Sequence, residues 1–205
     1  MNETGDLANH LLTVALIAFY WTLLGNWAQL LPGAGVKAGQ ADESSAQRED
    51  VAEDTSSLVA ALDSIREIDP NFDMASFMSG AKKAYAAVLQ AYAEGNIGVL
   101  RGLVGADVLD SFGGAILGRE TRRENLQLAL VRLSEATVMD AFNQGNGIEI
   151  VVRFVADVIS VTRSADDRVI DGDPIQIIEV RDVWTFEHDA RSKDPVWRLI
   201  ATDNA

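Results

Sequence analysis

The chain contains no cysteine, which removes thiolate metal sites, thiol nucleophiles and disulfide staples together. That absence does not fix the compartment, because a chain without Cys folds on either side of a membrane. Only two histidines occur among the 205 residues, His10 and His188, too few imidazoles for a His-based zinc site. No cofactor is expected. Basic residues are also scarce: 17 Lys and Arg stand against 31 Asp and Glu, for a formal net charge of -14. Phosphate backbones are gripped by clustered Lys and Arg, so nucleic acid is not an expected partner. The remaining composition, 48% hydrophobic and 23% charged, is ordinary for a chain with a packed core. The length accommodates one domain plus appendages.

Charge is missing altogether from one stretch. Between Asp6 and Lys37 there is no Asp, Glu, Lys or Arg, and the core of that run, Leu11 to Leu31, reads LLTVALIAFYWTLLGNWAQLL. About 20 residues of helix cross a hydrocarbon layer, and Trp21 and Trp27 suit the interface. Three readings stay open: a single membrane span, favoured on length; a helix lying in the interface; and a cleaved signal peptide, which the uncompensated acids of MNETGDLAN oppose. From Pro32 to Ser57 follows a segment rich in Gly, Ala, Ser, Asp and Glu with no aromatic residue. It buries too little apolar surface to offset the entropy of ordering and reads as a flexible acidic linker.

The expected division is therefore 1–31 with the membrane helix at about 11–31, 32–57 linker, and 58–205 folded domain. In the domain, Asp69-Pro70 reads as a helix start. Phe77, Ala81, Ala84, Tyr85, Val88 and Tyr92 then recur at helical spacing, up to a stop at Glu94-Gly95-Asn96. A short helix around Ile97–Val104 and a third from Asp107 to Glu124 follow, the latter with Val108, Phe112, Ile116 and Leu117 inward. Beyond it the period becomes two. LQLALVRLSEATVMDAF reads as a strand whose start could also be helical. IEIVVRFVADVISVTR puts Ile148, Ile150, Val152, Phe154, Ala156 and Val158 on one face and Glu149, Arg153 and Asp157 on the other. PIQIIEVRDVWTFEH and VWRLIAT supply two more strands. Helices first and strands after mean an α+β domain, with helices on one face of an antiparallel sheet.

Three stretches, DPNFDMASFMSGAKKAYAAVLQAYAEGN, VVRFVADVISVTR followed by DGDP, and RDVWTFEHDARSKDPVWRLIAT, resemble the Tim44-like family. This family comprises the C-terminal domain of the mitochondrial inner-membrane translocase tether and its bacterial homologues. The resemblance covers Ile68 to Thr202, and its most specific part is Asp182-Val183-Trp184-Thr185-Phe186, then Asp194-Pro195, then Trp197. It implies the cone-shaped fold of nuclear transport factor two, with a curved antiparallel sheet wrapped around helices. It also implies a tethering role at a membrane; with the apolar run, the expectation is a single-pass protein of a bacterial inner membrane, the side of the domain left open and the cytoplasmic side favoured. The implied partners are the membrane, an unidentified protein and lipid as a further candidate. The family supplies no catalytic residues to map.

The candidate pocket and partner-binding residues are Tyr85, Tyr92, Asp182, Trp184, Phe186 and Trp197. Asp182 shares a pleat face with Trp184 and Phe186, so a carboxylate is expected on a buried face, needing an Arg or an indole N–H as partner. Arg119, Arg122 and Arg123 cluster at the end of the third helix, where they oppose its dipole or meet lipid or an acidic partner. Folds of this shape also host acid–base isomerases and dehydratases, so an enzyme using the cone pocket is the alternative. Its candidate groups are Asp140, Asp157, Asp182 and His188, with Asp157 expected in solvent and His188 at the surface. Fold analogy alone is a weak warrant for chemistry, and a non-enzymatic adaptor is expected. The full-length protein should stay with membranes through high salt and alkaline carbonate. Release into the carbonate wash would replace the span by an interfacial helix.

Overall fold

The computed structural model describes residues 58–144, 147–192 and 196–204. The expected membrane helix and the linker lie outside the described residues. Among the described residues no helix is long and apolar enough to cross a membrane. Four helices precede five strands there: α1 at 58–68, α2 Met74–Glu94, α3 Ile97–Leu103 and α4 Ala106–Arg122, then β1 Asn125–Gln144, β2 Gly147–Arg163, β3 Val169–Gly172, β4 Ile178–Asp189 and β5 Arg198–Asn204. The class is α+β, as the order of patterns implied.

Helix α1 is an addition to the sequence reading. Leu58, Ala61, Leu62 and Ile65 fall on one helical face; Ile65 is fully buried and the other three pack against the core. Its presence moves the next helix start. The Asp69 N–H donates to the Ile65 carbonyl at 2.8 Å, and Asp69 Oδ1 accepts from the Asn71 N–H at 3.0 Å. Asp69 therefore closes one helix and turns the chain. The residue that caps α2 is Asp73, whose side chain accepts from the Ser76 N–H at 2.8 Å. Asp69-Pro70 as the start of α2 is thus corrected by four residues.

Helix α2 buries Phe77, Ala81, Tyr85, Val88 and Tyr92 and stops as expected at Gly95, which takes a left-handed φ of 69°. The Asn96 side chain then caps α3 through the Val99 N–H at 3.1 Å. In α4, Val108 and Ile116 are buried, but Leu117 is 63% exposed. The inward stripe runs Val108, Phe112, Ile116, and a residue one position on lies ~100° round the helix, so the expectation for Leu117 is overturned.

The sheet order is β1-β2-β4-β5, antiparallel throughout, with β3 also pairing β2. On β2 all six expected inward residues, Ile148 to Val158, are no more than 2% exposed. Strand β1 carries three bulges, at Leu130/Arg132, Leu133/Glu135 and Val138/Asp140, each adding a residue and bending the strand. Its shielded residues step accordingly: Leu126, Leu128, Leu130, Leu133, Ala136, Val138, Ala141. The outer face carries ion pairs, Arg132–Asp157 and Arg153–Glu135 at 2.7 Å and Arg181–Glu179 at 2.8 Å. Asp157 is thus paired and only 17% exposed at its side chain, not free in solvent.

Asp171-Gly172 ends β3, a short strand that the sequence patterns did not include. Gly172 has φ 76°, and a Cβ there would run into the Ser160 carbonyl of the neighbouring strand. Only glycine satisfies both demands. At the other end, the Gly105 N–H donates to the Leu199 carbonyl at 2.8 Å, tying the α3–α4 junction to β5.

Candidate functional site

The inner face of the sheet is filled, not hollow. Opposite α2 stand Phe154 of β2 and Trp184 and Phe186 of β4, all at most 4% exposed. Tyr85 stacks on Phe154 with centroids 4.5 Å apart and tilts against Trp184 at 4.7 Å; Phe77 meets Phe186 edge-on at 6.0 Å. Aromatic pairs of this kind contribute about 0.5–1.5 kcal/mol beyond their buried area. The pleat assignment that turns Asp182, Trp184 and Phe186 inward is the observed one.

Asp182 has a partner, but neither of those expected. The Tyr85 hydroxyl, itself fully buried, donates to Asp182 Oδ2 at 2.6 Å. A phenol reaching down from α2 can be the donor because the helix crosses this point of the sheet; two residues 97 apart in sequence meet there. Burial first, and then the Asp182 charge, push the Tyr85 phenol far above its usual range, so it keeps its proton and remains the donor. Burial likewise raises the Asp182 carboxyl, with the bond from Tyr85 acting against it. The pair satisfies itself inside the core, and neither residue lines the groove that opens beyond it.

Open space begins where this core ends. A groove of about 520 Å³ runs between the 69–73 turn, the first turns of α2, and the ends of β4 and β5. Its floor is aromatic: Phe72, Phe77, Phe186 and Trp197, with Trp197 at 4.6 Å from Phe77 and 6.0 Å from Phe72. Small residues of α2, Gly80, Ala84 and Ala87, form one wall, and a Cβ on Gly80 would meet nothing within 4 Å. Asp69, Asp73 and Lys83 stand at its rim. Asp73 is held below the ordinary carboxyl range by its bonds from Ser76 and is therefore charged. His188 also lines the groove. It was expected at the surface, yet it is only 8% exposed; its Nδ1 lies 3.3 Å from the Val196 carbonyl and its ring 5.2 Å from that of Trp197. The strand end is covered because the chain returns over it at Trp197.

The three arginines do not act together. Arg119 Nη2 donates to the Tyr92 carbonyl at 2.7 Å and its guanidinium lies 4.5 Å over the Tyr92 ring. It neutralises the C-terminal end of α2, not of its own helix as expected. Arg122 pairs with Glu124 at 2.8 Å. Arg123 takes φ 54° as the residue ending α4, with its side chain in solvent. Tyr92, Arg119 and Arg122 line a second cleft of about 570 Å³, which Arg123 does not reach.

The structure thus divides the expected pocket set. Phe186 and Trp197 reach the groove; Tyr85, Asp182 and Trp184 lie in the core beneath it; Tyr92 belongs to the Arg119 cleft. Phe72 and Gly80 were missed as site residues, and His188 was named only for the catalytic alternative and expected at the surface. The readable signal for Gly80 was its place on the same helical face as Phe77, Ala84 and Ala87. Of the acid–base candidates, Asp140 accepts from its neighbour's N–H at 2.8 Å, Asp157 is ion-paired and Asp182 is bonded to Tyr85. Among the four, only His188 lines the groove.

A family profile described as the Tim44-like domain matches residues 58–204. No curated protein matches the chain. Among solved structures, the intermembrane space region of chloroplast protein ARC6 is similar at 9% identity with a TM-score of 0.46, covering 66% of this chain and 98% of that one. A nuclear transport factor 2-like superfamily protein from Salmonella enterica serovar Typhimurium is similar at 11% identity and a TM-score of 0.43, covering 65% and 92%. At these values neither likeness carries a function across.

The Tyr85–Asp182 pair makes stability depend on pH. The folded state holds the Asp182 proton to higher pH than the unfolded chain does, whose carboxyl titrates near ~3.9. The group's contribution is full below that value and fades as pH rises through the raised folded one. Asp182→Asn cannot titrate. In urea melts the parent should therefore gain on Asp182→Asn as pH falls from neutral toward ~4, by an amount on the order of 1–3 kcal/mol, the scale of one buried polar partner. A difference that is flat in pH would place Asp182 in solvent.

Proposed function

The chain belongs to the Tim44-like domain family, and from that premise we propose that it is a membrane-tethered adaptor whose α+β domain captures a segment of a protein partner. The apolar run Leu11–Leu31 serves as the anchor and the acidic stretch after it as the spacer. The observation that carries the reading is the groove, where the half-buried rings of Phe72 and Trp197 stand above the buried Phe77 and Phe186 at one end of the core. Concave apolar surface with a few polar groups at its rim is the form binding sites take, and half-buried rings such as Trp197 are the residues that anchor interfaces.

The catalytic alternative finds less support. A general base has to stand within hydrogen-bond reach of a substrate position. The buried carboxylate and phenol are spent on each other, Asp140 and Asp157 are engaged away from the groove, and His188, which does line it, is 8% exposed with its Nδ1 at 3.3 Å from the Val196 carbonyl. Binding accounts for the groove without a reaction.

Gly80→Phe tests the adaptor directly. A Cβ there meets nothing within 4 Å and opens onto the groove, and phenylalanine improves on glycine inside a helix, by roughly 0.5 kcal/mol, so the fold should survive while the groove is filled. Crosslinking in intact cells with the full-length protein should recover a partner with the parent and lose it with Gly80→Phe, at unchanged thermal melting. Undiminished recovery of the same partner would rule the groove out as the capture site.

A further inference from the structure

We infer that the segment held in the groove presents a lysine or arginine beside a bulky apolar side chain. This rests on the adaptor reading of the same groove and adds the chemistry of its partner. The floor sets the apolar half of the requirement. Phe72 and Trp197 are half-buried, their rings 6.0 Å apart, and covering them removes apolar surface from water. The volume of about 520 Å³ holds a few side chains, so the occupant is a short segment and not the face of a domain.

The rim sets the cationic half. Asp69 and Asp73 sit at the groove's entrance where the chain turns into α2. Each accepts hydrogen bonds from backbone N–H groups, from Asn71 and Ser76 respectively. Among the described residues neither is paired with a cation, whereas Asp157, Glu135 and Glu179 on the sheet's outer face all are. Among the described residues Lys83 is the single rim cation against these two acids, within a chain of net charge -14. An arriving ammonium or guanidinium thus finds two uncompensated carboxylates and, beside them, aromatic faces that attract cations. An acidic segment meets repulsion in the same place, and like-charge juxtaposition is what excludes wrong partners.

The probe is a fluorescein-labelled peptide of repeated Leu-Arg pairs, with a Leu-Glu peptide of equal length as its counterpart, titrated against the full-length protein and read by anisotropy. Two kinds of variant separate the claims. Gly80→Phe blocks the groove. Asp69→Asn with Asp73→Asn removes charge yet keeps the turn and the helix cap, since Asn serves both. The Leu-Arg peptide should bind and the Leu-Glu peptide should not. Binding should vanish with Gly80→Phe. With the double Asn variant it should weaken by roughly 3- to 10-fold and lose most of its salt dependence, the scale of two partly exposed ion pairs.

Leu-Arg binding that disappears in Gly80→Phe but is indifferent to the two Asn changes, or is matched by Leu-Glu, would overturn the charge inference and leave the groove standing. Leu-Arg binding that survives Gly80→Phe would instead be attraction to the acidic surface at large, and would overturn the groove as well. No binding of the Leu-Arg peptide would also overturn the inference, while the crosslinking experiment judges the adaptor separately.

Discussion

The packing of α2 across the inner faces of β2 and β4 is the constraint on which the rest of the domain depends. One residue, Tyr85, makes the three contacts that define it: a stack on Phe154, a tilt against Trp184 and the 2.6 Å bond to Asp182. Each fixes a different quantity. The stack sets the distance of helix from sheet, and the bond sets the position of the helix along β4. The bond also offsets part of the penalty of a carboxylate on an apolar face, which unpaired would cost several times what a neutral hydrogen bond contributes. A register slip of one residue in β4 would turn Trp184 and Phe186 out to water and bring charges in.

Filling the interior decides where function can lie. A hollow cone would offer an enclosed pocket with its polar groups pointing inward. Here Tyr85 and Asp182 are consumed by each other, and the aromatic core opens at its rim into a groove, where Phe72 and Trp197 stand half-buried above Phe77 and Phe186. The same aromatic array therefore runs from the structural centre to the groove floor. A core ending in half-buried rings presents its anchor surface already positioned by packing, which is how preorganisation favours binding.

Much of this was legible in the chain and some was not, for identifiable reasons. Strand β2 alternates cleanly because it is unbulged and buried on one face. Strand β4 could be assigned its facing from Trp184 and Phe186 because their area outweighs one carboxylate. In β1 the inward residues fall two or three apart, since each bulge inserts a residue, and spacings of three resemble a helix. Helix α1 lay hidden beside an acidic segment whose composition masked four apolar residues. The partner of Asp182 could not be read locally because it lies 97 positions away, and His188 looked exposed because its cover, Trp197, arrives from the next strand.

The account's central claim is that capture occurs at the groove and not on the helical face opposite. A photoreactive amino acid placed at Ser76, exposed on the groove wall, or at Leu117, 63% exposed on α4, separates the two in living cells. The account predicts a partner adduct from position 76 and none from position 117. An adduct from 117 alone would contradict it.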